Sequence, residues 1–600
     1  MSRVLFVMLH PGFVRYYDGA LEALAAAGHD VHVAFEVSRT KLGEDVTAQR
    51  LATLSPRITC GPAPTRAESV RTFLARSDRT ATRSGGAARS WRDRGAQDEA
   101  QESLATTVRL LMDYLRYFEP AFAGAPALRA RAEKRLPRVY PPAIRAVARL
   151  GPGARSALRR VLSGIEHAIV PHPSIETFIR EQNPDLLLVT PLVELGSQQV
   201  DYVKCARRLG VRSALCVASW DNLTSKGLIR VAPDHVIVWN ETQKHEAVTL
   251  HGVTPGQVAV TGAQLFDRWF AASPSRTRDD FCARVGLDPA RPFVLYVGSS
   301  MFIAPDEVPF AERWLDAVRG GEGRDERPGV LIRPHPANAE QWRAFDSNLD
   351  DVAVWPPIGT TPNDPDFRRD FFDSLYHCAA VVGINTSAQI EAAIVGRPVL
   401  TIHSPEFAHA QEGTLHFQHL VGGSAGFVHE AHSLAEHVDQ LRAVLSDGSS
   451  SAARNRRFVE SFIRPRGIDV PAVAVFVEAI GAFAALPAHA PLHDSWRSHA
   501  GRLPLPALAW ATHRLAEDRP LWVYAVRPGV TAAVWIAAVP YRLAAVWHRS
   551  GYPRVKRGVR AMHRVWYEST RSIGKLTRRA RRPIAAVVKG AVRRLAGRSA

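Results

Sequence analysis

Short apolar runs alternate with helix-length amphipathic segments along most of the chain. The first unit reads as a strand at residues 3–9, a polar break, a helix and a second strand at 30–35. Further apolar runs occupy residues 185–190, 213–218, 235–239 and 257–262, and then 293–298, 329–333, 380–384 and 398–402. This alternation is typical of parallel sheets that are covered by helices on both faces.

We therefore predict an α/β fold, with two doubly wound Rossmann-like domains that face a cleft and a basic helical C-terminal extension. The first domain is predicted at residues 1–270, with a mobile or helical insertion near 61–165, and the second at 271–465. Residues 466–500 are predicted to form a linker or crossover helix, and residues 501–600 the extension. A chain of 600 residues is long enough for each domain to bury its own core.

The net charge of the chain is concentrated near its C-terminal end. Residues 541–600 hold 17 Lys and Arg against one acid, Glu568, which is +16 of the total formal charge of +18. Apolar residues recur there at helical spacing among the cations, a pattern that favours amphipathic helices lying on an anionic membrane. We predict that membrane surface as a partner and no specific nucleic acid. The same charge would bind nucleic acid non-specifically, so a polyanion-binding protein with a degenerate enzyme body is an alternative.

Three features bear on the compartment. The five cysteines are scattered and form no CxxC pair, which argues against a disulfide scaffold and favours a reducing environment. The apolar run at residues 4–9 is too short for a signal-peptide core. The most apolar stretch, from Leu521, is interrupted by Arg527 and Pro540 and falls short of the about 20 residues of a spanning helix. The sequence predicts a cytoplasmic protein that is peripherally associated with the inner face of the cell membrane.

Polar residues follow directly after most of the predicted strands. Ligands of open parallel sheets bind outside the carboxyl ends of the strands, so these residues are candidates for a site. In the first half they include His10, Glu194 and the segment SWDNLTSKG at 219–227, with Trp220, Asp221, Asn222 and Lys226. In the second half they include Gly298, Ser299, Arg333, His335, Asn385, Thr386 and Ser387.

The segment INTSAQIE at residues 384–391 runs from a strand into a helix. Thr386 or Ser387 would cap this helix, and Thr386 with Gln389 fits a capping box. The exposed amide groups and the positive end of the helix dipole would attract a phosphate, and Glu391 would accept hydrogen bonds from ribose hydroxyls. The alternative is an ordinary capped helix of a βαβ unit.

Two other segments supply charged and aromatic groups. In RPHP, Arg333 offers a fixed fork of donors and His335 a titratable one, which suits a diphosphate; the alternative is a salt-bridged arginine and a turn-capping histidine. In SWDNLTSKG, Trp220 is available to stack on a ring and Asp221 to act as an acid or base. The alternative there is a turn in which Asp221 and Asn222 bond their own backbone. No residue spacing indicates a metal site.

The sequence resembles two-domain glycosyltransferases of the GT-B fold, close to UDP-N-acetylglucosamine 2-epimerase and to the bacterial surface-polysaccharide and CDP-glycerol transferases. The resemblance covers residues 1 to 465 without the insertion, and GINTSAQIEAAIVGRPVL and RPHP are the segments that carry it. It implies that Asn385, Thr386 and Ser387 contact donor phosphates, Glu391 the ribose, and His335 a phosphate. Asn385, Thr386 and Ser387 stand where the epimerases have Ser-Gly-Gly.

The expected reaction is metal-independent transfer of a glycosyl group from a nucleotide diphosphate sugar to a surface-polysaccharide or lipid-linked acceptor, with no other cofactor. The donor would lie in the second domain, at Gly298, Ser299, Arg333, Glu391 and residues 385–387. The acceptor would lie in the first, at His10, Trp220, Asn222 and Lys226. Asp221 or Glu194 would deprotonate it, and His335 would stabilise the departing diphosphate. A CDP-glycerol or ribitol-type polyol-phosphate transferase is the alternative enzyme.

Overall fold

The structure is a computed structural model that describes residues 1–37, 50–51, 53–66, 87–320, 327–345, 349–360, 365–422, 426–447, 449–491 and 505–516. The chain forms two compact units, Met1–Asp494 and Ser495–Ala600. In the second unit the described residues form one helix, Leu505–Ala516. The predicted amphipathic helices of the tail lie outside the described residues. Within those ranges, no helix combines the length and the apolar character needed to cross a membrane.

The first sheet has seven strands, and all its pairings are parallel. Its strands are β1 Arg3–Met8, β2 Asp30–Phe35, β3 Ile58–Pro62, β4 Leu186–Thr190, β5 Arg212–Cys216, β6 His235–Val238 and β7 Val258–Val260. Their order is β3-β2-β1-β4-β5-β6-β7, so the winding reverses between β1 and β4. Every residue of β4 is buried, because helices cover both faces of a central parallel strand.

The second sheet has six strands, also all parallel. Its strands are β8 Phe293–Val297, β9 Gly329–Arg333, β10 Val352–Val354, β11 Ala380–Gly383, β12 Val399–Ile402 and β13 His429–Ala431. The order β10-β9-β8-β11-β12-β13 repeats the order of the first six strands, and the winding reverses between β8 and β11. The predicted fold of two doubly wound α/β sheets is confirmed.

The helices connect the strands and cover the sheets. They are α1 Asp18–Ala26, α2 Ala87–Arg116, α3 Pro126–Glu133, α4 Tyr140–Arg149, α5 Pro152–Ala168, α6 Pro173–Gln182, α7 Val200–Leu209, α8 Asn222–Ser225, α9 Glu241–His251, α10 Asp267–Ala271, α11 Arg278–Val285, α12 Val308–Arg319, α13 Pro365–His377, α14 Ala388–Ile394, α15 Gln418–Val421, α16 Leu434–Ser446, α17 Ser449–Phe458, α18 Ala472–Ala485 and α19 Leu505–Ala516. Short 3-10 helices lie at Pro11–Tyr16, Pro120–Phe122, Pro255–Gln257, Gln264–Phe266 and Pro336–Ala344, and a π-helical turn at Val459–Ile463.

The insertion between β3 and β4 is helical where the structure describes it. Residues 67–86, which carry much of the predicted mobile stretch, lie outside the described residues. The first described helix of the insertion, α2, begins at Ala87. This helix packs against α3, α4 and α5.

We call the parts built on the first and second sheets the first and second lobe. They contact each other near the carboxyl ends of their strands, where the ring of Trp220 lies 4.8 Å from that of His416. The chain then returns to the first lobe, since α18 packs on α1 and buries Phe476 and Ile480 against it. The cleft is therefore formed within one compact unit.

Candidate functional site

Gly298 and Ser299 follow β8, at the reversal point of the second sheet. The Gly298 amide donates to the carbonyl oxygen of Arg333 at 2.9 Å. A Cβ at Gly298 would lie 3.1 Å from the amide nitrogen of His335, so glycine permits this close approach. Ser299 is buried, and its amide donates to Glu307 at 2.8 Å. The buried hydroxyl oxygen of Ser299 has no partner among the described residues, and its contact with a nucleotide stays a prediction.

The turn after β11 is partly closed by its own side chains. The Thr386 amide donates to Oε1 of Gln389 at 3.0 Å, but the Thr386 hydroxyl faces the Ala388 amide at 3.5 Å and not that of Gln389. Only the Gln389 half of the predicted capping box is present. Ser387 is exposed and begins the helix without a side-chain cap.

Two facts weaken the predicted phosphate site at this helix end. Asn385 is buried and donates to the carbonyl oxygen of Ala410, so its amide group holds a neighbouring loop. Helix α14 has only seven residues, and its dipole is correspondingly small. Any phosphate at this end needs cations from elsewhere.

Arg333, the last residue of β9, is such a cation. It is 4% exposed, and its guanidinium lies 4.9 Å from the ring centres of both Phe367 and Phe371. Nη2 donates to the carbonyl oxygen of Phe367 at 3.0 Å, whereas Nη1 has no partner. Arg333 forms no ion pair with any described carboxylate, and burial lowers its pKa to about 10. A buried cation without a counter-ion is costly, and an anionic ligand would remove that cost.

His335 and His10 occupy equivalent places in the two lobes. Each precedes a proline at the carboxyl end of a strand. Nδ1 of His335 accepts a hydrogen bond from the Ala337 amide, and Nδ1 of His10 accepts one from the Gly12 amide, both at 3.1 Å. Burial lowers the pKa of His335 to about 4 and also lowers that of His10, with Arg15 as the next cause. Both rings are therefore neutral near pH 7. Since Nδ1 accepts, the ring proton lies on Nε2, which makes each histidine a hydrogen-bond donor.

Glu391 lies on α14 with its side chain partly accessible. Its carboxyl group accepts no hydrogen bond from any described residue. Burial raises its pKa to about 7, against the opposing charges of Arg268, Arg15 and Arg333. An uncommitted carboxyl group among arginines suits the hydroxyl groups of a bound sugar or ribose.

Arginines from both lobes lie near this carboxyl group, and among them only Arg333 is predicted from the sequence. The cleft arginine cluster consists of Arg15, Arg50, Arg268, Arg333 and Arg368. Burial lowers the pKa of Arg368, and the charges of Arg268, Arg50 and Arg15 lower it further. Asp18 neutralises part of the positive charge of this cluster, because it pairs with Arg50 at 2.9 Å and with Arg268 at 3.9 Å. The sequence offered little signal, because Arg15, Arg268 and Arg368 all lie on helices and none directly follows a strand.

Asp221 is already satisfied by its own loop. Its carboxylate accepts hydrogen bonds from the hydroxyl groups of Ser219 at 2.7 Å and Ser225 at 2.8 Å. Burial alone would raise its pKa, but Lys226, His416 and these hydrogen bonds hold the pKa at about 2. A carboxylate that resists protonation is a poor base near pH 7, so the structure argues against the predicted catalytic role of Asp221.

Trp220 and Asn222 are buried. Trp220 is 6% exposed and packs edge-on against His416 of the second lobe. Asn222 is 5% exposed, its Nδ2 lies 3.4 Å from Asp221, and its Oδ1 has no partner among the described residues. Their contact with an acceptor stays a prediction.

Lys226 and Glu194 remain accessible and form an ion pair at 2.9 Å. Asp221 and Glu194 raise the pKa of Lys226, although burial opposes them. Burial and Arg15 lower the pKa of His10, and the charge of Glu194 opposes them, which places these groups together at the reversal point of the first sheet.

The insertion fixes this loop in place, a contact that the sequence did not indicate. Arg116 donates to the carbonyl oxygens of Lys226 at 2.9 Å and Gly227 at 2.8 Å, and the Tyr117 hydroxyl donates to that of Lys226 at 2.7 Å. A Cβ at Gly227 would lie 2.8 Å from the carboxylate of Asp113, so this approach requires glycine. Helix α2 thereby positions one wall of the cleft.

No protein-family model and no curated protein sequence matches the chain. Among solved structures it is similar to a glycosyltransferase from Rickettsia africae ESF-5, at 9% identity and a TM-score of 0.42, over 81% of this chain and 100% of that one. It is also similar to UDP-GlcNAc 2-epimerase from Methanocaldococcus jannaschii, at 10% identity and a TM-score of 0.42, over 80% of this chain and 100% of that one. A co-structure of S. aureus MnaA with UDP is similar at 13% identity and a TM-score of 0.44, over 82% of this chain and 100% of that one. Likenesses this remote assign no activity.

Proposed function

We propose that the protein is a glycosyltransferase that takes a nucleotide diphosphate sugar in the second lobe and a hydroxyl acceptor in the first. The observation that carries this proposal is Arg333, a buried cation without a carboxylate partner among the described residues, at the carboxyl end of β9. A diphosphate would supply the missing counter-charge through charge-assisted hydrogen bonds. Carbohydrate or lipid-linked acceptors fit the same chemistry, since each offers a hydroxyl group.

Each remaining group of the site has a role in this reaction. The Nε2 hydrogen of His335 and the cleft arginine cluster would stabilise negative charge on the diphosphate. Glu391 would bind the ribose hydroxyls. In the transfer step the acceptor oxygen bonds to the anomeric carbon, the bond from that carbon to the phosphate oxygen breaks, and the nucleoside diphosphate leaves with the bonding electrons.

The proton of the acceptor hydroxyl needs a base in the first lobe. Glu194 is the better candidate than Asp221, because it is accessible and does not share the hydrogen bonds that keep Asp221 ionised. Lys226 would stabilise the Glu194 carboxylate before transfer, and His10 would donate to the acceptor through Nε2. No metal takes part in this scheme.

The test is to screen the full-length protein for stabilisation by UDP, GDP, CDP and dTDP sugars and to identify the nucleotide released on turnover. Release of a nucleoside diphosphate with the sugar on an acceptor supports glycosyl transfer. With CDP-glycerol or CDP-ribitol added to the same screen, release of CMP with the polyol phosphate on an acceptor shows polyol-phosphate transfer instead. If none of these donors binds, the protein has no nucleotide-sugar site, and polyanion binding is the remaining explanation.

A further inference from the structure

The helical insertion carries a basic surface that the cleft does not use. Residues 126–168 contain ten Lys and Arg but only two acids, Glu133 and Glu166. Between Lys134 and Ile165 there are eight cations and no acid. This surface differs from the C-terminal tail, because it lies on described helices α3, α4 and α5.

Both acids are already engaged. Glu166 is buried and paired with Arg109 at 3.1 Å. Glu133 accepts from the Tyr114 hydroxyl and from Arg145. Glu119, which precedes this stretch, pairs with Arg155 and Arg159. Arg131 is half-buried and donates to the carbonyl oxygen of Ser225. The six other cations are exposed and have no ion pair within the described part of the chain: Arg129, Lys134, Arg135, Arg138, Arg149 and Arg160.

A cavity of about 480 Å³ opens on this surface. Arg129, Arg145 and Arg149 line it, together with the ring of Phe118 and the carboxylate of Glu133, which pairs with Arg145. The Arg129 guanidinium lies 5.3 Å from the centre of that ring, which holds it at the cavity wall. Three guanidinium groups against one carboxylate leave a net positive charge around the cavity, and this charge matches a phosphate-bearing headgroup.

An exposed apolar residue lies beside this cavity. Leu150 follows Arg149 at the turn between α4 and α5 and is 77% exposed. Among the large apolar residues described, only Met1 is more exposed, at 85%. Val161 on α5 is 58% exposed. Apolar side chains among cations are typical of protein surfaces that enter the boundary between lipid headgroups and acyl chains.

We propose that this surface, which we call the insertion face, binds an anionic phospholipid bilayer. The cavity receives a lipid phosphate between Arg129, Arg145 and Arg149, and Leu150 enters the acyl boundary. Charge complementarity selects an anionic partner. The apolar Leu150 among the cations selects a bilayer over nucleic acid, whose phosphate backbone would leave that side chain in water. This inference does not depend on the proposed transferase activity.

A local probe separates this face from any contribution of the tail. We would place an environment-sensitive fluorophore on Leu150→Cys in the full-length chain, with Cys60→Ser, since the other four native cysteines are buried. The same label on Val470→Cys, an exposed position on another part of the unit, is the control. Vesicles of phosphatidylcholine, with or without phosphatidylglycerol, are the probes.

We expect a blue shift of the Leu150→Cys label with phosphatidylglycerol vesicles, none with phosphatidylcholine alone, and none from the control label. Adding Arg129→Gln and Arg149→Gln should raise the lipid concentration at half-maximal shift about twenty- to thirtyfold, since each cation near an anionic surface contributes about a factor of five. The control is the matched pair Arg343→Gln and Arg369→Gln, at surface positions with 65% and 57% exposure. With this pair, the lipid concentration at half-maximal shift should stay within about twofold of that of the unsubstituted labelled protein.

Three results would overturn the proposal. The first is an unchanged spectrum of the Leu150→Cys label with both vesicles. The second is an equal shift with neutral and anionic vesicles. The third is a shift with duplex DNA and none with lipid, which would make this face a nucleic-acid surface.

Discussion

The chemistry of the cleft depends on a few side chains whose hydrogen bonds are left incomplete. Arg333 has one guanidinium nitrogen without a partner, and the carboxyl group of Glu391 accepts no hydrogen bond from a described residue. Asp221, by contrast, has both carboxylate oxygens occupied. Incomplete bonding in a buried or half-buried group is costly in the free protein, so the cost marks the residues that a ligand would satisfy.

Arg333→Gln should weaken nucleotide-sugar binding about 10- to 100-fold, because hydrogen bonds to charged groups contribute about 1.5–3 kcal/mol. Isothermal titration with the best donor from the screen is the measurement. Arg343→Gln removes the same charge at a surface position where Arg343 pairs only with Glu340, and it should bind like the wild type. Equal affinity of Arg333→Gln and wild type would remove Arg333 from the site.

Binding should also depend on pH through Glu391, whose pKa is about 7. A bound diphosphate repels the ionised carboxylate and raises its pKa further, so binding takes up a proton and strengthens as pH falls through 7. We expect about tenfold tighter binding at pH 6 than at pH 8. A nucleotide sugar is the suitable ligand, because both its phosphates are diesters and do not titrate in this range.

Glu391→Gln is neutral at every pH and should remove this dependence. Its affinity should match that of the wild type at the low-pH end. Affinity of the wild type that stays constant or falls on acidification would show that Glu391 does not face the diphosphate.

At the scale of elements, a buried ion network joins the insertion to the first sheet. Arg109 on α2 pairs with Glu166 on α5 at 3.1 Å and with Asp201 on α7 at 2.6 Å, and all three side chains are fully buried. Lys204 adds a second partner for Glu166 at 3.0 Å. Burial would raise the pKa of Asp201, but Arg109 and the neighbouring cations hold it at about 2. The helices of the insertion are thus tied to the lobe by charge as well as by packing.

Arg109→Met should destabilise the folded protein by about 3–5 kcal/mol, since it leaves two buried carboxylates short of a partner. Urea unfolding followed by circular dichroism measures this change. The surface pair of Arg180 and Glu176 supplies the control, because Arg180 is 64% exposed and Arg180→Met should cost at most about 1 kcal/mol. A comparable loss in both variants would contradict a special role for the buried network.

At the scale of the whole molecule, the two lobes share a strand order and are joined by a returning segment. Asp267 on α10 accepts from Arg464 at 2.7 Å and from the Val473 amide at 2.7 Å. The Ala263 amide donates to the carbonyl oxygen of Ile463 at 2.9 Å. These bonds fix where the chain leaves the second lobe for α18, and hence constrain how the two lobes meet.

Asp267→Ala should lower the free energy of unfolding by about 3 kcal/mol, because it leaves the buried Arg464 and the Val473 amide without their acceptor. Urea titration is again the measurement. Asp439→Ala is the matched control, since Asp439 is 80% exposed and pairs with Arg442 at 3.7 Å. Equal stability of the Asp267→Ala variant and the control would show that this junction does not hold the lobes.

The strands that the sequence pattern missed show where pattern reading fails. They are β3, β10 and β13, and all three lie at sheet edges. β10 and β13 have three residues each, and β3 ends in Gly61 and Pro62. An edge strand is covered less than a central one, so it lacks the continuous apolar run that identified β4 or β8.

The sequence by itself determined the two sheets, because buried central strands need unbroken apolar residues, and it located Arg333, His335 and Glu391 at or near strand ends. Tertiary structure decided which polar groups stay free. Trp220 looks available in the sequence but is buried against His416, almost 200 residues further along the chain. Asp221 is the local exception, because the hydroxyl groups of its own loop satisfy it. Arg15 and Arg268 look ordinary in the sequence but lie near Glu391, and Arg368 lies near both of them. Burial and charge proximity at these residues depend on contacts between distant segments, and no local pattern encodes them.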